Sequence, residues 1–171
     1  AAFIAAAAVR FAHDVGQPEQ EMPKPGPEHA WIAKGAGTWE ATVEIGGQKS
    51  QGVETGAMSC GGYWLTSDFK GEFMGMPFTG HGVFGYDAQK KKYVGTWCDS
   101  SGGGLVVYEG TLSADQKVYI AYSNGTDMEG KPAKIKHVTT FLGDKEHIFT
   151  TAAVGADGKE TPQMKISYKK R

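Results

Sequence analysis

Long apolar runs are what this chain most conspicuously lacks. The longest opens it, at residues 1–9 (AAFIAAAAV), and stops at Arg10; a helix needs about 20 apolar residues to cross a bilayer. Cysteine is scarce as well. Cys60 and Cys98 cannot form a disulfide framework, and no C-x-x-C spacing is present to hold zinc. Two readings of the pair stay open: one bridge in an oxidising compartment, or two small apolar side chains, buried or half-buried. Excess charge of one sign is also missing, with 18 Lys+Arg against 19 Asp+Glu. No basic field exists to attract nucleic acid, so that partner class is set aside. The G-x-S-x-G turn of an α/β-hydrolase is absent, and Ser100-Ser101-Gly102-Gly103 does not replace it.

Glycine, by contrast, is abundant, with 25 residues among 171. Set between short apolar stretches, it suits an all-β protein with many tight turns, because glycine supplies positive φ where side chains cannot. The chain length fits one well-packed domain. Residues 1–17 form an apolar N-terminal segment, 18–27 a Pro-rich linker, and 28–171 the folded domain. No initiator Met opens the sequence, which points to a processed or incomplete end. An alanine-rich run followed by a proline-rich spacer is expected of a signal or anchor remnant. The corresponding expectation is an exported protein, periplasmic or at the cell surface, with membrane anchoring as an option. The segment's large apolar residues, Phe3, Ile4, Val9 and Phe11, are its candidate assembly contacts.

After the linker, residues 29–34 (HAWIAK) read as a short helical turn that offers Trp31 and Ile32 as a plug, with Gly35 and Gly37 ending it. From Thr38 the pattern changes to period two. Trp39, Ala41, Val43 and Ile45 share one face of a strand, and Glu40, Thr42 and Glu44 the other. Nine further strands are expected at 50–59, 63–69, 78–86, 92–99, 105–112, 117–123, 133–142, 147–153 and 163–169. Turn signals between them include Gly46-Gly47, Asn124-Gly125, Gly143-Asp144 and Asp157-Gly158. No connection is long enough for a parallel βαβ unit. A meander of about ten short strands either closes or leaves two exposed edges. The expectation is an all-β, antiparallel up-and-down barrel; a two-sheet sandwich is the alternative.

Gly37-Thr38-Trp39, just after a helical turn and opening the first strand, resembles the G-x-W signature of lipocalins and other calycins. That resemblance implies a Trp across the closed end of the barrel, covered by a basic side chain from the last strand. Lys169 and Arg171, in the closing Lys169-Lys170-Arg171, are the candidates. A closer resemblance covers residues 22–170. MPKPGPEHAWIAK, GTWEA, KKKYVGTW, MKISYKK and above all GGYWLTSDFKGEFMGMPFTGHGVFGYD are similar to the bacterial domain of unknown function 1579, grouped with the calycin-like barrels. It implies a fold and no particular activity. Calycin relatives bind small apolar molecules, fatty acids or, in one branch, heme.

His81, His137 and His147 fall in strands, and a single-residue change of register decides whether His137 and His147 share a face. Surface or hydrogen-bonded histidines are the simpler reading. Asp68, Glu72 and Asp99 could pair for acid–base work, yet Asp68 shares parity with Trp64 and Thr66 and reads equally as outward. No catalytic residue, metal site or cofactor is expected. The aromatic set is more telling: Tyr63, Leu65, Phe84, Trp97 and Tyr108 are the candidate lining of an internal pocket, or else a filled core. Met74 and Met76, in a loop at 71–77, would stand at one mouth as a portal or a contact patch. The first expectation is therefore a non-enzymatic barrel holding a small apolar molecule. The second is an accessory or structural subunit of a larger assembly, with membrane association or a filament as options, docked on sister chains or other subunits through residues 1–17.

Overall fold

A computed structural model describes residues 24–73 and 75–171. The apolar segment at 1–17, with Phe3, Ile4, Val9 and Phe11, lies outside these residues, as do linker residues 18–23 and Met74. A short helix, α1 (Pro27–Ile32), leads through a 3-10 turn at Ala33–Gly35 into ten strands. They are β1 (Gly37–Ile45), β2 (Gln48–Ser59), β3 (Trp64–Phe73), β4 (Met76–Asp87) and β5 (Lys92–Asp99), followed by β6 (Val106–Leu112), β7 (Val118–Thr126), β8 (Pro132–Phe141), β9 (Glu146–Val154) and β10 (Glu160–Lys170). Each pairs antiparallel with its neighbours in sequence, and β10 pairs with β1. The sheet closes as a barrel, so the sandwich is set aside.

An up-and-down meander sends alternate turns to opposite ends. The β1–β2, β3–β4, β5–β6, β7–β8 and β9–β10 turns form one rim, here called the mouth. The four other turns share the opposite end, the base, with α1. Pro27 occupies the first turn of α1, where its missing N–H costs nothing. The helix drives Trp31 and Ile32 into the base, where they are 6% and 1% exposed. Trp31 meets the rings of Phe84, Tyr93, Tyr119 and Phe141, with centroids 5.4–5.9 Å away. Its Nε1 donates to the Gln116 carbonyl at 2.9 Å. The plug is therefore both packed and hydrogen-bonded.

Trp39 is 1% exposed and donates Nε1–H to the Gly35 carbonyl at 3.0 Å. Its cationic cover is Lys170, whose Nζ lies 4.9 Å from the ring centroid. Strand alternation corrects the expectation here. Lys170 stands opposite Trp39 in the β1–β10 register and turns inward. Lys169 and Arg171, one residue to either side, turn outward and meet Glu146 at 3.8 Å and Glu40 at 3.2 Å.

Three further expectations change. Asn124-Gly125 continues β7, and the turn falls at residues 127–131, where Asp127 Oδ1 accepts from the backbone N–H groups of Glu129 and Lys131 at 2.9 Å each. The loop at 71–77 is mostly strand, with β3 and β4 running to Phe73 and from Met76. Met76 stays exposed at the mouth, at 63%. Cys60 and Cys98 are free and exposed, neither bridged nor buried: Cys60 lies in a base turn, and Cys98 faces out of β5.

Glycine has a second use beside turns. Gly80 and Gly82 lie under the Trp97 ring, and Gly95 under that of Tyr108. A Cβ at Gly80 would come within 2.1 Å of Trp97, and one at Gly95 within 2.5 Å of Tyr108. Bare strand backbone lets large rings lie flat along the inner wall.

The parity assignment separates two neighbouring lysines. Lys170→Ala should lower unfolding free energy by about 1 kcal/mol through loss of the contact with Trp39, and Lys169→Ala by less than about 0.5 kcal/mol. Urea denaturation of both variants checks this, and equal effects would refute it.

Candidate ligand-binding lumen

Because each strand alternates, the β1–β10 register fixes which side chains enter the barrel. Two apolar clusters occupy it. Trp31, Ile32, Tyr93, Tyr119 and Ala121 build the base cluster, with Leu65, Phe84 and Tyr108 packed against it. Trp39, Val43, Phe69, Ile166 and Tyr168 build the other, joined by Trp97 and Phe149. Polar groups enter between and alongside them. Glu54 shares the inward parity of β2 with Gly52, Gly56 and Met58, because it stands opposite Trp39. Ser67 enters from β3, Tyr108 from β6, His137 from β8, His147 from β9 and Tyr168 from β10.

These groups form a connected interior. The Tyr168 hydroxyl donates to Glu54 Oε2 at 2.8 Å, and the Ser67 hydroxyl bonds to the same carboxyl. His147 stacks on Tyr168 with centroids 4.3 Å apart and meets Trp39 edge-on at 4.5 Å. His137 Nε2 and the Ser123 hydroxyl are 2.8 Å apart, and the His137 ring lies between those of Tyr108 and Phe149. The Nδ1 of His147 is buried with no partner among the described residues. Leaving such an atom unpaired costs about 1–3 kcal/mol.

Electrostatics follow from the enclosure. Burial pushes the Glu54 carboxyl above its usual range, overcoming the hydroxyls of Tyr168 and Ser67, which pull it down. Burial likewise raises the Tyr108 phenol, with the Glu54 charge adding to the effect. Both inward histidines are pushed down to about 4, His137 by burial alone and His147 by burial and the Lys170 charge. Deep among the described inward residues stand Glu54 and two neutral imidazoles.

Four of the five expected lining residues face this interior. Leu65, Phe84 and Tyr108 do so on the base side and Trp97 on the mouth side. Each keeps some accessible surface although it points away from the outer solvent. Tyr63 instead precedes β3 in the base turn, where its ring packs edge-on against His29 at 4.9 Å. Two surface grooves stand at the ends. One of about 330 Å³ lies at the mouth, between Met128, Ala133, Ala153 and Val154. The other, of about 420 Å³, lies beside Lys34 and Phe141 at the base, and none of the five expected residues lines either groove.

His137 and His147 do share the inward face, yet His137 stands opposite Thr151 and His147 opposite Phe141, on different levels. The acidic candidates do not converge. Asp68 is outside, 2.9 Å from His81, and Glu72 is exposed. Asp99 sits at the mouth, accepting from Trp97 Nε1 at 3.0 Å and from Ser101. The central acid is Glu54, which the sequence reading did not single out. Its signal was available: it shares parity with two glycines and a methionine, a face that becomes inward once Trp39 is placed inside.

Folded-state values near 4 lie below the ordinary 6.5 of histidine. As pH falls across that window the unfolded chain takes up protons that the folded chain refuses. The histidine contribution to stability is thus complete above about pH 6.5 and is shed towards about pH 4. Glu54, raised by burial, works oppositely and favours the folded state as pH falls. Nitrogen-15 spectra of labelled histidines should show His137 and His147 still neutral at about pH 5.5. A charged imidazole at either position would refute the enclosure described here.

Comparison with known proteins bears on the fold. No curated protein matches the chain. The S-type phycobiliprotein lyase CPES from Guillardia theta is 11% identical, with a TM-score of 0.53, over 86% of this chain and 98% of that one. A redesigned β-barrel, b11L5F_LGL, is 14% identical with a TM-score of 0.45, over 87% of this chain and 99% of its own. A second, mFAP0 bound to DFHBI, is 17% identical with a TM-score of 0.45, over 80% and 99%. At these identities the likeness concerns architecture alone. The family model described as "Protein of unknown function (DUF1579)" matches residues 24–170. With almost all of the described barrel inside that match, the chain belongs to the DUF1579 family.

Proposed function

We propose that this protein is a non-enzymatic barrel that takes a small, mainly apolar molecule into its lumen. One observation carries the reading: Leu65, Phe84, Trp97 and Tyr108 face inward, away from outer solvent, yet are not sealed. Inward wall residues with surface left over line a space, and an aromatic wall with few polar groups is the usual composition of a small-molecule site. The exposed mouth residues Met76, Leu105 and Met128 give such a molecule an apolar approach. Export belongs to the same proposal, supported by the apolar run at residues 1–9 and the proline-rich spacer behind it.

The uncharged fluorophore prodan tests the reading. One equivalent should bind with blue-shifted emission. Ser67→Phe, which places a ring at mid-depth, should weaken binding by about tenfold or more, roughly the loss of one good apolar contact. Lys70→Phe, on the outer face of the same strand, should leave it unchanged. Circular dichroism confirms that both variants keep the barrel. Absence of binding, or equal effects of the two substitutions, would overturn the proposal.

A further inference from the structure

Glu54 is an uncompensated acid inside an apolar barrel. No basic side chain lies within ion-pair distance among the described residues, and its recorded partners are the hydroxyls of Tyr168 and Ser67. Lys170 is the nearest inward cation by register: Glu54 and Lys170 flank Trp39 from opposite sides, on β2 and β10. Two strand spacings, roughly 10 Å, separate their backbones, and the Lys170 ammonium is engaged over the indole. His137 and His147 are neutral. With no counter-charge, burial holds this carboxyl towards its protonated form, and an arriving cation pairs with the ionised one.

We infer that Glu54 anchors the ligand, and that the ligand is an organic ammonium: a primary or secondary amine on an apolar body. This rests on the lumen reading above. The ammonium hydrogens meet the carboxyl oxygens, and the body lies among the rings of Tyr108, Trp97 and Phe84. The Tyr108 hydroxyl has no hydrogen-bond partner among the described residues and keeps access to the lumen, so it can accept a second N–H. A carboxylate or phosphate ligand would set a second acid beside Glu54, and the charge of each would disfavour that of the other. A purely apolar one would leave Glu54 as it is, with its desolvation unrelieved.

Isothermal titration with three probes of one shape tests this: 4-phenylbutylamine, 4-phenylbutanol and 4-phenylbutyrate. At pH 7.5 the amine should bind about tenfold or more tighter than the alcohol, as a charge-assisted contact does against a neutral one, and the carboxylate weakest. Glu54→Gln, which keeps shape and loses charge, should erase the amine's advantage and leave the alcohol within about twofold. Tyr168→Phe gives a second reading, since it removes a donor to Glu54 without removing the acid; the amine preference should persist. If the alcohol binds and the amine is not preferred, or if Glu54→Gln leaves the preference intact, the inference falls and the lumen reading stands. If none of the three probes binds, both fall.

Discussion

The seam between β1 and β10 is the constraint on which everything else rests. Ten strands joined by short turns leave two edges, and each edge strand carries a row of unsatisfied N–H and C=O groups. Pairing Trp39 through Ile45 with Lys170 through Met164 removes both edges at once. Because the pairing is antiparallel with a side-chain period of two, it also fixes in one step which residues of all ten strands enter the barrel. Trp39 holds the register: its indole is anchored to the Gly35 carbonyl, covered by Lys170 and met edge-on by His147. A slip of one residue would either turn Lys169 inward in place of Lys170, or turn Glu40 inward and this indole into water.

A closed sheet leaves a second problem, which is how to fit broad rings into a narrow tube. Strand glycines solve it. Where a ring lies along the wall, the facing position lacks a side chain, as under Trp97 and Tyr108. The aromatics thus spread over the inner surface and meet each other obliquely or stacked, as Phe84 does with Tyr93 and Tyr108. This keeps space for the polar belt of Glu54, Ser67, Tyr168 and His137 beside the apolar clusters. Each buried member of the belt needs a partner, and those partners tie β2, β3, β7, β8 and β10 together.

Much of the architecture was legible in the residue pattern. Alternation in β1, turn chemistry every ten or so residues and the G-T-W opening led to a closed meander, and ten strands are present. The plug role of Trp31 and Ile32 was legible from their place ahead of β1. Less legible was anything decided by parity near a strand end. Three basic residues close the chain, and only the register with Trp39 selects Lys170. Asn124-Gly125 has the composition of a turn, yet the Asp127 side chain supplies a better one three residues later. The glycine surplus reads as turn chemistry, and although Gly80, Gly82 and Gly95 fall inside expected strands, a sequence does not show which ring will lie over them. Glu54 was missed for a related reason: between Gly52 and Gly56 there is no apolar alternation to mark its face, and its burial follows from β1 across the ladder.

The position of α1 bears on the order in which the molecule assembles. Trp31 precedes every strand of the barrel in the chain, yet the rings that receive it run from Phe84 to Phe141. Its hydrogen-bond acceptor, Gln116, belongs to the turn between β6 and β7. Contacts so distant along the chain form only after the intervening loops have been closed entropically. The floor of this vessel is made from residues that precede all of its walls and is laid only after most of those walls are standing.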